Sequence, residues 1–78
     1  MPTVLRINGF RFFFYSSDRN EPMHIHVEKE NNTAKYWITP IRLQEGHGFS
    51  RKELNEILKI IKENRELIVR RWNEYFDN

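Results

Sequence analysis

Asn8-Gly9 separates two strand-like runs, Thr3-Val4-Leu5-Arg6-Ile7 and Phe10-Arg11-Phe12-Phe13-Phe14-Tyr15. No other feature of the chain limits its folds so strongly. A two-residue hairpin of type I′ needs positive φ at both central residues, which Asn and Gly tolerate at little cost. The turn then dictates the register, with Ile7 opposite Phe10, Leu5 opposite Phe12 and Thr3 opposite Phe14. Those residues share a face that is almost wholly apolar, so that face is the expected core. The other face carries Val4, Arg6, Arg11, Phe13 and Tyr15, with Arg6 directly across from Arg11. Two like charges so placed repel mildly, which calls for an acidic neighbour or an anionic partner between them.

Beyond the hairpin, Ser16-Ser17-Asp18-Arg19-Asn20-Glu21-Pro22 reads as a polar loop. Alternation resumes in Met23-His24-Ile25-His26-Val27-Glu28, with Met23, Ile25 and Val27 on one side and His24, His26 and Glu28 on the other. After a turn at Glu30-Asn31-Asn32, the run Ala34-Lys35-Tyr36-Trp37-Ile38-Thr39 alternates again and stops at Pro40, which cannot donate to a strand ladder. Ala34, Tyr36 and Ile38 point inward and Lys35 and Trp37 outward. Ile41 to Phe49, with Gly46-His47-Gly48, reads as an irregular connection or a short edge piece.

From Ser50 the composition changes to Leu, Ile, Glu, Lys and Arg with no Gly or Pro. Ser50-Arg51-Lys52-Glu53 is a capping box, whose serine oxygen and glutamate carboxylate satisfy free amides at a helix start. Leu54, Ile57, Leu58, Ile61, Ile68, Trp72, Tyr75 and Phe76 fall near one helical stripe, interrupted at Asn64 and Arg65. A single helix of about 26 residues would run roughly 39 Å, longer than the sheet beneath it, so its Trp72, Tyr75 and Phe76 end is expected to overhang. The predicted fold is α+β: an N-terminal antiparallel sheet of three to four strands, the β-hairpin first, packed on one long C-terminal α-helix. It forms a single domain over 1–78, with the sheet and connecting loops in 1–49 and the helix in 50–76.

A chain of 78 residues affords one small core, and with no cysteine it has neither disulfides nor thiolate metal sites. No apolar run approaches the roughly 20 residues of a membrane span, and Met1-Pro2-Thr3 opens directly into strand-like sequence rather than a signal segment. The expected location is cytoplasmic, with no membrane partner. Thirteen Lys and Arg against eleven Asp and Glu give a net charge of +2, so the placement of charge rather than its sum must identify partners.

One helix covers one face of a small sheet, which leaves Arg6, Arg11, Phe13, Tyr15, His24, His26, Lys35 and Trp37 on an open face. Cations contact phosphates and flat rings stack on unpaired bases for roughly 1–3 kcal/mol each, so this mixture suits nucleic acid, RNA or DNA. The competing reading is that the same side chains pad a protein interface. His24 and His26, two apart on a strand, could divide base and acid roles in a metal-independent cleavage of RNA, with Arg6 or Arg11 stabilising phosphorane charge. They could equally be the ordinary polar side of a half-buried strand, since nothing in the sequence orients either ring. No metal site is assigned: a catalytic zinc takes three protein ligands, and only Glu28 or the distant His47 offers a third. Lys59, Lys62, Arg65, Arg70 and Arg71 alternate with Glu56, Glu63, Glu66 and Glu74 as a mixed solvated helix face. There is no Gly-rich phosphate loop, no nucleophile in recognisable context and no telling carboxylate pair, so no cofactor is expected.

Pro2-Thr3-Val4, Gly9-Phe10-Arg11-Phe12-Phe13-Phe14-Tyr15-Ser16, Glu21-Pro22 leading into His24-Ile25-His26-Val27, Ala34-Lys35-Tyr36-Trp37, Gly48-Phe49-Ser50, Glu53-Leu54 and Trp72-Asn73-Glu74-Tyr75-Phe76 together resemble a small prokaryotic family recorded as domain of unknown function 4160. Met23 departs from the family's common second proline, and His47 falls outside its pattern. The resemblance implies a toxin–antitoxin component encoded beside a small partner similar to the family recorded as domain of unknown function 2442. This chain is then the expected toxin, and the matching residues open to function are Arg11, His24, His26, Lys35 and Trp37, to which the resemblance assigns no catalytic role. The alternative is a non-enzymatic interaction module, an antitoxin or adaptor, docking a small protein. A homodimer through Trp72, Tyr75 and Phe76 is a further expectation.

Overall fold

The computed structural model describes residues 3–76; Met1 and Pro2, expected to lead into the first strand, lie outside the described residues. Five strands form one antiparallel sheet in sequence order: β1 (Thr3–Ile7), β2 (Phe10–Phe13), β3 (His24–Lys29), β4 (Asn32–Ile38) and β5 (Ile41–His47). Two helices follow, α1 (Arg51–Glu63) and α2 (Arg65–Phe76). The α+β class is as expected, but the sheet has five strands rather than three or four, and two helices replace the single long one.

Asn8 and Gly9 have φ of 55° and 84°, the type I′ signature that the sequence demanded. Ile7 pairs with Phe10, Arg6 with Arg11 and Leu5 with Phe12, while Thr3 pairs with Phe13 instead of Phe14. A bulge between Thr3 and Leu5 causes the slip: one extra residue on β1 shifts every later partner by one. Phe14 is thereby released from the ladder, and its ring lies edge-on to Trp72 at 5.2 Å.

The segment read as an irregular connection or a short edge piece contains the seven-residue edge strand β5, which pairs with β4 from Ile38↔Ile41 to Thr33↔His47, with an irregularity between Lys35 and Tyr36. Its side chains are nearly all exposed, because an edge strand held by backbone hydrogen bonds needs no apolar alternation. That irregularity also disturbs the period-two pattern by which a strand is recognised.

At the helix start, Ser50 Oγ accepts the Glu53 amide at 3.1 Å and Glu53 Oε1 accepts the Ser50 amide at 3.0 Å, closing the capping box. The helix breaks at Asn64, whose side-chain Nδ2 donates to the Ile60 carbonyl at 2.8 Å. An Asn side chain bonding its own backbone competes with helix continuation. The second segment then does not overhang. Trp72 is buried, Phe76 half-buried, and their rings pack against Phe14 at 5.2 and 5.9 Å, leaving Tyr75 as the exposed ring of that end.

Both helices pack on the inner face of the sheet. Phe10, Phe12, Phe14, Ile25, Val27, Tyr36 and Ile38 meet Ile57, Ile60, Ile61, Ile68 and Trp72 in one core. Tyr36 is fully buried and its hydroxyl donates to the Leu54 carbonyl at 2.8 Å, tying β4 to α1; burial pushes its phenol up to about 12. No helix among the described residues is long and apolar enough to cross a membrane.

Candidate functional site

Directly paired residues share a face, so the outer face can be read across the sheet. Arg6 and Arg11 are followed by Glu28, then Thr33 and His47; Phe13 is followed by His26, Lys35 and Glu45; and His24 is followed by Trp37 and Arg42. All eight sequence-predicted residues therefore lie on or beside one face, but they are not equally presented.

The Arg6–Arg11 repulsion is relieved within the chain. Arg11 Nη1 meets Glu28 Oε2 at 2.9 Å and its Nε donates to Thr3 Oγ1 at 2.9 Å, while Arg6 stays exposed. The Arg11 guanidinium also lies 4.3 Å from the centroid of the Phe13 ring. His26 stacks on Phe13 at 5.6 Å and Tyr15 meets it edge-on at 5.1 Å. Under these three side chains Phe13 is buried, forming a floor rather than a free stacking surface.

Above that floor runs a groove of about 250 Å³, lined among others by Tyr15, His26, Lys35, Glu45 and His47. Tyr15 is exposed at its rim. Lys35 Nζ meets Glu21 Oε1 at 2.6 Å and lies 4.9 Å from the Trp37 ring centroid. The Lys35 hydrogen bond holds the Glu21 carboxyl below its ordinary value. His47 leans on Glu45 at 3.0 Å across the groove's far wall.

The two histidines differ sharply. They share a side of β3, as alternation requires, yet only His26 reaches the groove. His24 is fully buried between Trp37 and Trp72, whose rings stand edge-on at 5.7 and 5.3 Å. What covers it is the segment between β2 and β3. A 3-10 turn, Ser16–Asn20, folds that segment over the end of the outer face and buries Asp18. Asp18 Oδ2 accepts the Tyr15 amide at 2.8 Å and lies 3.0 Å from His26 Nε2. Asp18 Oδ1 lies 3.1 Å from His24 Nε2. On the far side of its ring, His24 Nδ1 is 2.8 Å from the Pro22 carbonyl, which can only accept, so Nδ1 carries a hydrogen.

Burial alone would raise the Asp18 carboxyl, but the Tyr15 amide and the two imidazoles outweigh it and hold the group below its ordinary value, ionised at neutral pH. Burial lowers His26 despite the opposing pull of Asp18. Asp18 was missed in the sequence because it reads as one more polar loop residue. The third group beside the histidine pair is thus neither Glu28, which serves Arg11, nor His47, which lies with Glu45.

Among families of known proteins, the one described as Domain of unknown function (DUF4160) has a model that matches residues 9–73. No curated protein and no solved structure matches the chain.

Proposed function

The chain belongs to the DUF4160 family, and from that premise and its outer face we propose that it is the toxin component of a toxin–antitoxin pair, binding single-stranded RNA along the groove. One observation carries the reading. Tyr15 at the rim, His26 and Lys35 in the wall and Trp37 beside Lys35 set flat rings and a cation side by side on the sheet face opposite the helix-packed core. A single strand is bound through such alternation, with bases stacking on rings while cations follow the phosphates. Phosphates would compete with Glu21 for Lys35 and with Glu28 for Arg11, exchanging ion pairs whose carboxylates stand exposed to solvent.

Binding rather than cleavage by the histidine pair is the reading the burial favours. His24 lies wholly beneath the surface and is bonded away from the groove, so it has no path to a ribose hydroxyl. Its role in this account is to support His26 and Asp18 from below.

A second reading, a module that docks a small partner protein on the same face, is favoured by the pairing of Arg11 and Lys35 with carboxylates. A surface already charge-balanced suits a polar protein rim. Salt separates the two. Each phosphate contact to a single strand lowers the logarithm of the binding constant by roughly 0.7 per decade of salt, whereas an aromatic protein contact is nearly indifferent. Steep loss of RNA binding with salt, together with growth arrest on induced expression that Tyr15→Ala and Lys35→Ala relieve, is the expected result. Harmless expression and salt-insensitive capture of a protein partner would replace the toxin reading with the module.

A further inference from the structure

We propose that Asp18, His24 and His26 form a binding site for one divalent transition-metal ion of the zinc class. The inference is independent of nucleic-acid binding. Three potential ligands, one from the 3-10 turn and two from β3, bring their ligand atoms within 4.8 Å of one another, and all three are buried or half-buried. Two imidazoles and one carboxylate are a donor set that zinc, iron, cobalt and nickel accept.

The decisive atom is His24 Nε2. It is completely buried and, among the described residues, has no hydrogen-bond partner, although Asp18 Oδ1 lies only 3.1 Å away. The opposite nitrogen, Nδ1, donates to the Pro22 carbonyl, which leaves Nε2 as the ring atom turned toward Asp18 Oδ1. With no hydrogen bond aligned between them, a second ring proton is poorly placed to bridge Nε2 and Oδ1, and a positive charge beside both atoms would draw them together. A metal ion supplies that charge.

The surroundings match those of ligating histidines elsewhere, which commonly donate their second ring nitrogen to a backbone carbonyl, as His24 does to Pro22. Asp18 is held in a comparable way by the Tyr15 amide. Ligands at about 2.1 Å from a tetrahedral ion lie roughly 3.4 Å apart. The 3.0 and 3.1 Å separations, which run to different oxygens of Asp18, would need to open by a few tenths of an ångström, while the widest spacing in the set, within 4.8 Å, would need to close by up to about 1.4 Å, a movement within reach of side-chain rotation. Of the three ligands only His26 lines the groove, so exchange with solvent would pass its side.

The test uses the full-length, untagged chain, stripped with a chelator and titrated with cobalt(II) by visible absorption and with zinc(II) by calorimetry. The expected result is one ion per chain, with ligand-field bands from cobalt that zinc abolishes. Asp18→Asn and His26→Gln should each weaken binding by about 100-fold or more, and His47→Gln should not change it. If either site variant fails to fold, nitrogen-15 spectra of the wild-type histidine rings give the same answer, because zinc should move Nε2 of both His24 and His26. A folded wild type that binds no ion saturably, site variants that bind as well as the wild type, or rings that do not respond to zinc would overturn the proposal.

Discussion

The two faces of the sheet are closed by different physics. The inner face is sealed by apolar side chains from all the elements that meet there, a non-directional force that rewards area wherever it is removed from water. The outer face is closed at one end, where the 3-10 turn carries Asp18 over two histidines beside the Trp37 and Trp72 rings, so polar groups held at individual distances take a large part in the closing. The first arrangement tolerates exchange of one apolar residue for another of similar volume. The second depends on individual atoms, and a groove lies beside it.

The largest break in this contrast is expected at Phe12, which is fully buried on the inner face. Phe12→Ala should cost about 3–5 kcal/mol, close to the whole stability of so small a domain, and thermal or urea unfolding would read it. Arg6→Ala on the outer face should stay within about 0.5 kcal/mol. Equal costs at the two positions would mean that the faces are not distinct.

Tyr36 sharpens the comparison because it is the polar exception on the inner face. Tyr36→Phe leaves the Leu54 carbonyl without its hydroxyl donor and should cost about 1–3 kcal/mol. Its phenol is raised from 10.0 to about 12 in the fold, so the neutral form is favoured by folding. That contribution is complete below pH 10 and is lost as pH rises from 10 toward about 12. Phenolate absorbance should therefore show one of the three tyrosines ionising late, and Tyr36→Phe should remove that phase.

Smaller effects follow. Ser50→Ala removes the cap of α1 and should cost about 1 kcal/mol by denaturant unfolding. Lys35→Ala should change stability by less than about 1 kcal/mol, while reducing the salt slope of RNA binding by about 0.7.

The inner face was legible because its signals are local and periodic. Asn8-Gly9 gave the hairpin, alternation gave β3 and β4, and Ser50 to Glu53 gave the helix start. Where the sequence misled, a local competitor prevailed over the period. Asn64 bonded its own helix backbone and divided the helix, a bulge moved Thr3 from Phe14 to Phe13, and β5 formed on backbone pairing without an apolar pattern. The outer site was half legible. Alternation put His24 and His26 on one side, but the burial of His24 and the arrival of Asp18 depend on how the segment between β2 and β3 folds back. No period or motif encodes that path.

Under the proposed function, the protein meets its ligand on the outer face of the sheet, around the groove. The most direct measurement is a map of backbone amide shifts as a short single-stranded RNA is added to the folded chain. Shifts are expected at Tyr15, His26, Lys35, Trp37 and their strand neighbours alone, with the exposed side of α1 around Lys59 and Lys62 unchanged. Shifts centred on the helices, or none at saturating RNA, would contradict it.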